Sequence, residues 1–327
     1  MTAAYRPLGP LDDWVAAASP AVDAAAFGAA AEVLVGAGDA WTGLVRRGML
    51  LAAAYRSGAL AGLYEASDDV AGALLAGVAG PAGCGPAAAP HVVAIHDALL
   101  LAPGASITPA WLSAVHATAC RAQETAPLPT DHGVQDHVLG HGDLKHHPND
   151  LGGRVFAPVA QVEAQTHALV HGLAEAVVAA HPLVAAAYAL HAVTHVGPFA
   201  AGNGRVARVA ASVPLLAAAA APLVVADAGG YRAALDAGDP ASVVVFAGAC
   251  WTGLAAAVER ARAGAGQPAP AAALARWEAR EAAARRLDAA LAAGALAALD
   301  RHRRRRDLGW LPDLAGAEVV AGHSPVT

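Results

Sequence analysis

Alanine is the residue that most restricts what this chain can become. It fills 94 of 327 positions, while Phe, Trp and Tyr together make up 5%. Alanine is the strongest intrinsic helix former, and sheets are built from branched and aromatic side chains, so a mostly helical protein is predicted. Hydrophobic residues reach 56% and charged residues only 15%. That composition supports a large core and excludes a disordered polymer. The net charge of −6 leaves no global basic field to hold nucleic acid. Cys84, Cys120 and Cys250 are odd in number and form no CxxC pair, so neither a disulfide framework nor a cysteine metal site is expected. Met1 to Pro10 lacks the basic-then-apolar pattern of a secretory signal. The run Val209 to Ala226 is interrupted by Ser212, Pro214 and Pro222, and reads as a buried helix pair, not a membrane span. A cytoplasmic protein without membrane contact is expected.

Along the chain, residues 12 to 78 read as Ala-rich helices broken at glycines, and Ala79 to Pro90 as a linker. Thr108 followed by Pro109 marks a helix start, with the hydroxyl as N-cap and proline in the first turn. Glu124 to Gly153 is a long polar excursion, a length that is uncommon in a loop without a task. Pro158 opens a helix whose Val159, Val162, Leu169, Leu173 and Val177 share one face. His181-Pro182 ends it. A further helix runs to about His195, and another begins at about Arg205. Residues 271 to 306 read as a long tail helix ending in the basic run Arg303 to Arg306.

The informative stretch is His191 to Arg208, HAVTHVGPFAAGNGRVAR. Gly202-Asn203-Gly204 between two helices can turn backbone N–H groups inward, and the next helix aims its positive N-terminal dipole at the same point. Arg205 and Arg208, three apart, lie on one helix face and can both reach phosphate oxygens. These parts together describe a phosphate or polyphosphate cradle. The plainer alternative is a helix-to-helix turn with solvated arginines.

These residues resemble the Fic (Fido) family, whose signature is His-Pro-Phe, two residues of which the second is acidic, then Gly-Asn-Gly-Arg, two residues and Arg. Pro198, Phe199, Gly202, Asn203, Gly204, Arg205 and Arg208 fall in register with it. Ile107 to His116, Gly152 to Val155, His181-Pro182, His191, Tyr231 to Leu235 and Gly238 to Pro240 also look like family segments, so the resemblance covers about residues 100 to 255. It implies an all-α, Fic-type helical bundle with a small β-hairpin flap beside the loop Gly197 to Arg205. It also implies ATP or another nucleotide as ligand, AMP transfer to a protein hydroxyl as chemistry, and a protein target docked at the flap. Phe199 is expected to be buried as the anchor of the loop.

The chain departs from the family pattern where the chemistry would sit. The position of the motif His, which takes the hydroxyl proton, is Gly197, and the acidic position that holds Mg²⁺ is Ala201. Glycine accepts no proton, and loss of a positioned general base costs about 10²- to 10⁴-fold in rate. Loss of the metal carboxylate puts Mg²⁺ in doubt. His195 is the nearby substitute base, although two helical steps turn it by about 200° to the opposite face. Many members of the family carry an inhibitory helix with Ser or Thr, three residues, Glu and then Gly or Asn, whose Glu pairs with the second motif Arg. Ser57 to Gly62 resembles it, with Ala61 in place of the Glu.

Two other patterns compete. Gly202-x-Gly204-x-x-Ala207 fits a dinucleotide fingerprint, which requires a β-strand directly before it, with Leu223 to Asp227 as a second strand. Asp131 to Asp150 carries His132, His137, His141, His146 and His147 among aspartates, a zinc-type composition without a zinc-type spacing; a solvated loop is expected, with no metal. The division expected is a helical N-terminal region (residues 1–90), a Fic-like domain (91–260) and a C-terminal helix and tail (261–327). Three functions stay open at this point. One is a Fic-like protein that binds phosphate or nucleotide through Phe199, Gly202, Asn203, Gly204, Arg205 and Arg208 with impaired or absent AMP transfer. The second is an active transferase that moves AMP or another phosphate-containing group to a protein hydroxyl, using His195 or a substrate group as base. The third is a non-catalytic interaction protein.

Overall fold

The computed structural model describes residues 5–35, 40–102, 106–130, 133–148 and 155–264. Among these residues the chain forms α1 (Leu11–Ala18), α2 (Ala24–Val35), α3 (Ala40–Leu60), α4 (Asp68–Leu75), α5 (Ala89–Leu99) and α6 (Pro109–Cys120). A hairpin of β1 (Thr125–Thr130) and β2 (Gly133–Val138) follows, then α7 (Val159–Ala179), α8 (Pro182–Val196), α9 (Asn203–Ala219), α10 (Ala228–Ala237) and α11 (Pro240–Gly264). The predicted all-α bundle with one small hairpin is what the chain adopts. The tail from 271 to 306, Asp131, His132, Asp150 and the segment Gly152 to Arg154 lie outside the described residues.

The centre of the bundle is α8. A helix apolar on every side must be buried on every side, and Leu183 to Leu190 and Ala192 to Thr194 are all withdrawn from solvent. Around it pack α7, α9 and α11. The α7 stripe is as predicted at Val162, Leu169 and Leu173, which are buried, while Val159 and Val177 are half-buried. Each fully buried Leu or Val contributes roughly 1.5–3 kcal/mol relative to exposure. α2 is pinned by Phe27, whose ring stacks on Trp251 of α11 at 5.2 Å and whose carbonyl accepts the indole N–H at 3.3 Å. A single buried cluster takes in residues from Trp14 to Val258.

Three expectations need correction. Helices α2 and α3 run through Gly28, Gly48 and Gly58, and do not break there. At Gly48 the reason is close approach, because a Cβ would stand 2.4 Å from the Leu74 carbonyl oxygen of α4. The run Val209 to Ala226 is not a helix pair: α9 continues through Pro214 to Ala219, and 221–227 is extended coil. Left-handed Ala220 (φ 52°) ends the helix, and buried Ser212 ties the following segment back to it, its hydroxyl donating to the Arg208 carbonyl at 2.8 Å and accepting the Leu223 N–H at 3.0 Å. The polar excursion is not all loop: the hairpin sits inside it, pairing Thr125 with Val138 and Thr130 with Gly133.

By length and mean hydropathy (1.9), Pro240–Ala261 is apolar enough to cross a membrane. In this fold its Val243, Val244, Ala247, Trp251, Leu254 and Val258 face the core.

Candidate functional site

The loop between α8 and α9 is bounded by two left-handed glycines. Gly197 ends α8 at φ 55°, with its N–H on the Val193 carbonyl at 3.0 Å. Gly202 precedes α9 at φ 80°, and its carbonyl accepts the N–H groups of Arg205 (2.9 Å) and Val206 (3.2 Å). Side chains rarely adopt such angles. Asn203 closes the loop from within: its carbonyl oxygen accepts the Phe199 N–H at 3.0 Å and its amide donates to the Phe199 carbonyl at 2.7 Å. Its amide therefore shapes the cradle. Phe199 is fully buried, as expected of the anchor.

Three further segments hold the loop from outside. The Lys145 N–H donates to the Pro198 carbonyl at 2.9 Å, and the Ala157 N–H to the Val196 carbonyl at 3.1 Å. The third holder is His116 on α6, positioned by a helix whose start is set by Thr108 accepting the Trp111 N–H at 3.1 Å. Its imidazole lies against Phe199, its Nδ1 accepts the Gly142 N–H at 2.9 Å, and its Nε2–H donates to the Ala201 carbonyl at 3.0 Å. Both ring nitrogens are satisfied only in the neutral form. Burial pushes the His116 pKa down to about 4, with the positive charge of Arg205 acting in the same direction.

Arg205 and Arg208 flank the turn from below. A Cβ on Gly202 would stand 3.2 Å from Arg205 Nη2 and 2.5 Å from Cys120 Sγ, and one on Gly204 3.1 Å from Arg208 Nη1. Both arginines are buried. Arg205 donates through Nη2 to the Gln123 side chain and through Nη1 to the Ala119 carbonyl at 3.5 Å; its buried Nε has no partner among the described residues. Arg208 donates through Nε to the Ser57 hydroxyl and through Nη2 to the Ser57 carbonyl, both at 2.8 Å, and through Nη1 to the Tyr231 hydroxyl at 3.3 Å. Among the described residues no carboxylate pairs with either guanidinium. The neighbouring titratable groups are held neutral by burial. Tyr64 is raised far above its usual range, Cys84 is pushed up to about 12, Cys120 to about 11, and His91 is lowered. Two buried positive charges without a counter-charge are costly unless an anion joins them.

The predicted cradle residues Phe199, Gly202, Asn203, Gly204, Arg205 and Arg208 thus meet at one place. His195 does not join them. Its Nε2 bonds the Arg6 carbonyl at 2.6 Å, and its ring stacks between Tyr5 and His191 at 5.2 and 5.3 Å, on the N-terminal segment. Ala201 presents only its carbonyl, which His116 takes. Among the described residues no group of three His, Cys, Asp or Glu side chains could hold a metal; His141 bonds the Gln123 carbonyl at 2.8 Å, and His146 and His147 are exposed. The dinucleotide fingerprint fails on its context, because helix α8, not a strand, precedes the glycines, and 221–227 forms no strand.

The sequence reading had no signal for His116 as a clamp or for Gln123 as a partner of Arg205. Ser57 was visible only as part of a segment resembling an inhibitory helix. Here Ser57 itself, four positions before the Ala61 that replaces the Glu, holds Arg208.

Comparison with known proteins matches the same region. The model of the Fic/DOC family matches residues 89–215. Among solved structures, Fic-1 (residues 134–508) from C. elegans aligns with TM-score 0.53 and 19% identity over 75% of this chain and 73% of its own. A Fic domain containing signaling protein from Bacteroides thetaiotaomicron aligns with TM-score 0.54 and 17% identity over 74% of this chain and 98% of its own. No curated protein matches the chain. The matched stretch runs from α5 through the hairpin and the clamped loop into α9, and over those residues the chain is similar to the Fic/DOC family and has its fold.

Proposed function

We propose that this Fic-type protein binds a phosphate-bearing ligand, a nucleotide or a simpler phosphate, at the Gly202–Arg208 turn and transfers AMP poorly or not at all. The observation that carries this reading is the pair of buried guanidiniums, Arg205 and Arg208, without an acid partner among the described residues. Above them the first turn of α9 has no side-chain cap, so the N–H groups of Asn203 and Gly204 and the helix dipole are open to an anion, while the Arg205 N–H is held by the Gly202 carbonyl. The reactive half is missing from the same loop. Gly197 has no side chain to accept a proton, Ala201 offers no carboxylate to Mg²⁺, and the imidazole at the turn, His116, is engaged at both nitrogens. A protein segment docked at the hairpin would pair with β2, because Pro127 and Pro129 remove two donors from β1.

The test is titration of the full chain with ATP, ADP and simple phosphates, followed by calorimetry, in the wild type and in Arg205→Ala. Binding that the substitution abolishes supports the reading. No binding of any phosphate overturns it.

A second reading is a non-catalytic interaction or regulatory protein whose cradle is filled by its own chain. Ser57 and Tyr231 on Arg208, and Gln123 on Arg205, favour it. Under this reading Ser57→Ala lowers stability and creates no phosphate affinity.

A further inference from the structure

Arg205 and Arg208 are unequal as anion receptors. A guanidinium grips a phosphoryl group best through two parallel N–H donors. On Arg208 the Nε–Nη2 edge is closed by the Ser57 hydroxyl and carbonyl, both at 2.8 Å, and Nη1 faces the Tyr231 hydroxyl at 3.3 Å. On Arg205 the buried Nε is unpartnered and Nη1 makes only a 3.5 Å contact, while Nη2, which borders Gly202, donates to the neutral Gln123 side chain. The turn therefore has one guanidinium with donors to spare, beside the uncapped first turn of α9. That is a place for one tetrahedral group. A second phosphoryl group gripped by Arg208 has to displace Ser57.

The charge inventory agrees. The two arginines bring two positive charges, and the groups that act electrostatically on Arg205 are Cys120, Arg208 and Tyr64, none of them a carboxylate. Asp143 acts on His116. Tyr64, Cys84, Cys120, His91 and His116 are neutral at pH 7, for the reasons of burial given above. A phosphate monoester carries about −1.5 to −2 at neutral pH, which balances the site without help. A chelated triphosphate brings a divalent cation that wants carboxylate oxygens, and the loop offers alanine at position 201 and no acid cluster among the described residues.

We infer that the ligand of this site is a single phosphoryl dianion, inorganic phosphate or a phosphate monoester, bound without a divalent cation, and not a metal-chelated triphosphate. The inference rests on the proposed phosphate-binding role of the loop and narrows it to a ligand class.

The experiment is calorimetric titration of the full chain with inorganic phosphate, AMP and ATP, each with Mg²⁺ and with EDTA, in the wild type and in Arg205→Lys, which keeps the charge and loses the fork. The expected result is binding of AMP or phosphate that EDTA leaves unchanged within about twofold, ATP at least about tenfold weaker with or without Mg²⁺, and loss of about tenfold in Arg205→Lys. AMP binding well above phosphate identifies a monoester; equal binding identifies the free ion. Mg²⁺-dependent ATP binding tighter than AMP overturns this inference and leaves the proposed function standing. Absence of binding by all three anions overturns both.

Discussion

His116 lies flat on Phe199, with ring centroids 4.0 Å apart and planes within 10°, while its Nε2–H reaches over to the carbonyl of Ala201. The residues are 83 positions apart in the chain, and through this pair α6 holds the Gly197–Arg205 loop in one shape. The pair makes the loop sensitive to acid. His116 titrates at about 4 in the folded protein against an ordinary 6.5, because burial disfavours the imidazolium. Between those values the unfolded chain binds a proton that the native state refuses. Its contribution is therefore complete above pH 6.5, falls as pH drops through the window, and is gone below about pH 4, a total of about 3 kcal/mol. His116→Phe keeps the stack but loses both hydrogen bonds and the titration. It should be less stable than wild type at pH 7, by about 1–3 kcal/mol, and nearly equal to it at pH 4. Urea midpoints at the two pH values check this; parallel pH profiles for the two proteins would contradict it.

Asn203 makes a separate test of the loop. Both ends of its amide are spent on the backbone of Phe199, so Asn203→Ala should destabilise by about 1–3 kcal/mol. Asn203→Asp keeps the acceptor for the Phe199 N–H but sets a carboxylate oxygen against the Phe199 carbonyl and adds negative charge at the proposed anion site. It should weaken phosphate binding more than the alanine variant does. If the order of the two affinities is reversed, Asn203 is a ligand contact and not a brace.

Two glycines should respond in opposite directions to alanine. Gly28, inside α2, has open space where a Cβ would stand, and Gly28→Ala should stabilise by about 0.5–1 kcal/mol through lower backbone entropy and better helix propensity. Gly202, at φ 80°, would place a Cβ 2.5 Å from Cys120 Sγ and 3.2 Å from His116 Nε2. Backbone strain alone costs about 1–2 kcal/mol there, and the contacts add to it. Melting temperatures of the two variants should move apart, with phosphate affinity lost only in Gly202→Ala.

What the sequence made legible was local. The Thr108–Pro109 helix start, the α7 stripe and the burial of Phe199 follow from capping chemistry, periodicity and the register of one motif. What it hid was long-range. His116 reaches Ala201 across 85 positions, and Arg208 reaches Ser57 across 151. No spacing rule encodes such pairs, because they exist only once α3, α6 and α9 are packed. The glycine breaks failed for a related reason. Gly48 reads as punctuation along the chain, whereas packing uses it as the missing side chain that lets α3 and α4 touch.

Placing the histidine of the Fic signature at position 197 isolates the last question, whether a base alone confers transfer. Gly197 sits at φ 55°, a conformation that histidine tolerates better than branched residues but less well than glycine. Gly197→His should therefore fold with a loss of about 1 kcal/mol. It should not gain AMP transfer, although a positioned base is worth about 10²- to 10⁴-fold. Ala201 still supplies no metal carboxylate, and Ser57 still closes the fork of Arg208, so the imidazole would have no chelated triphosphate to work on. Incubation of the variant with labelled ATP, Mg²⁺ and a cell lysate reads this out. Labelled protein above the wild-type background would mean that the loop can already seat the triphosphate, and that position 197 alone held the chemistry back.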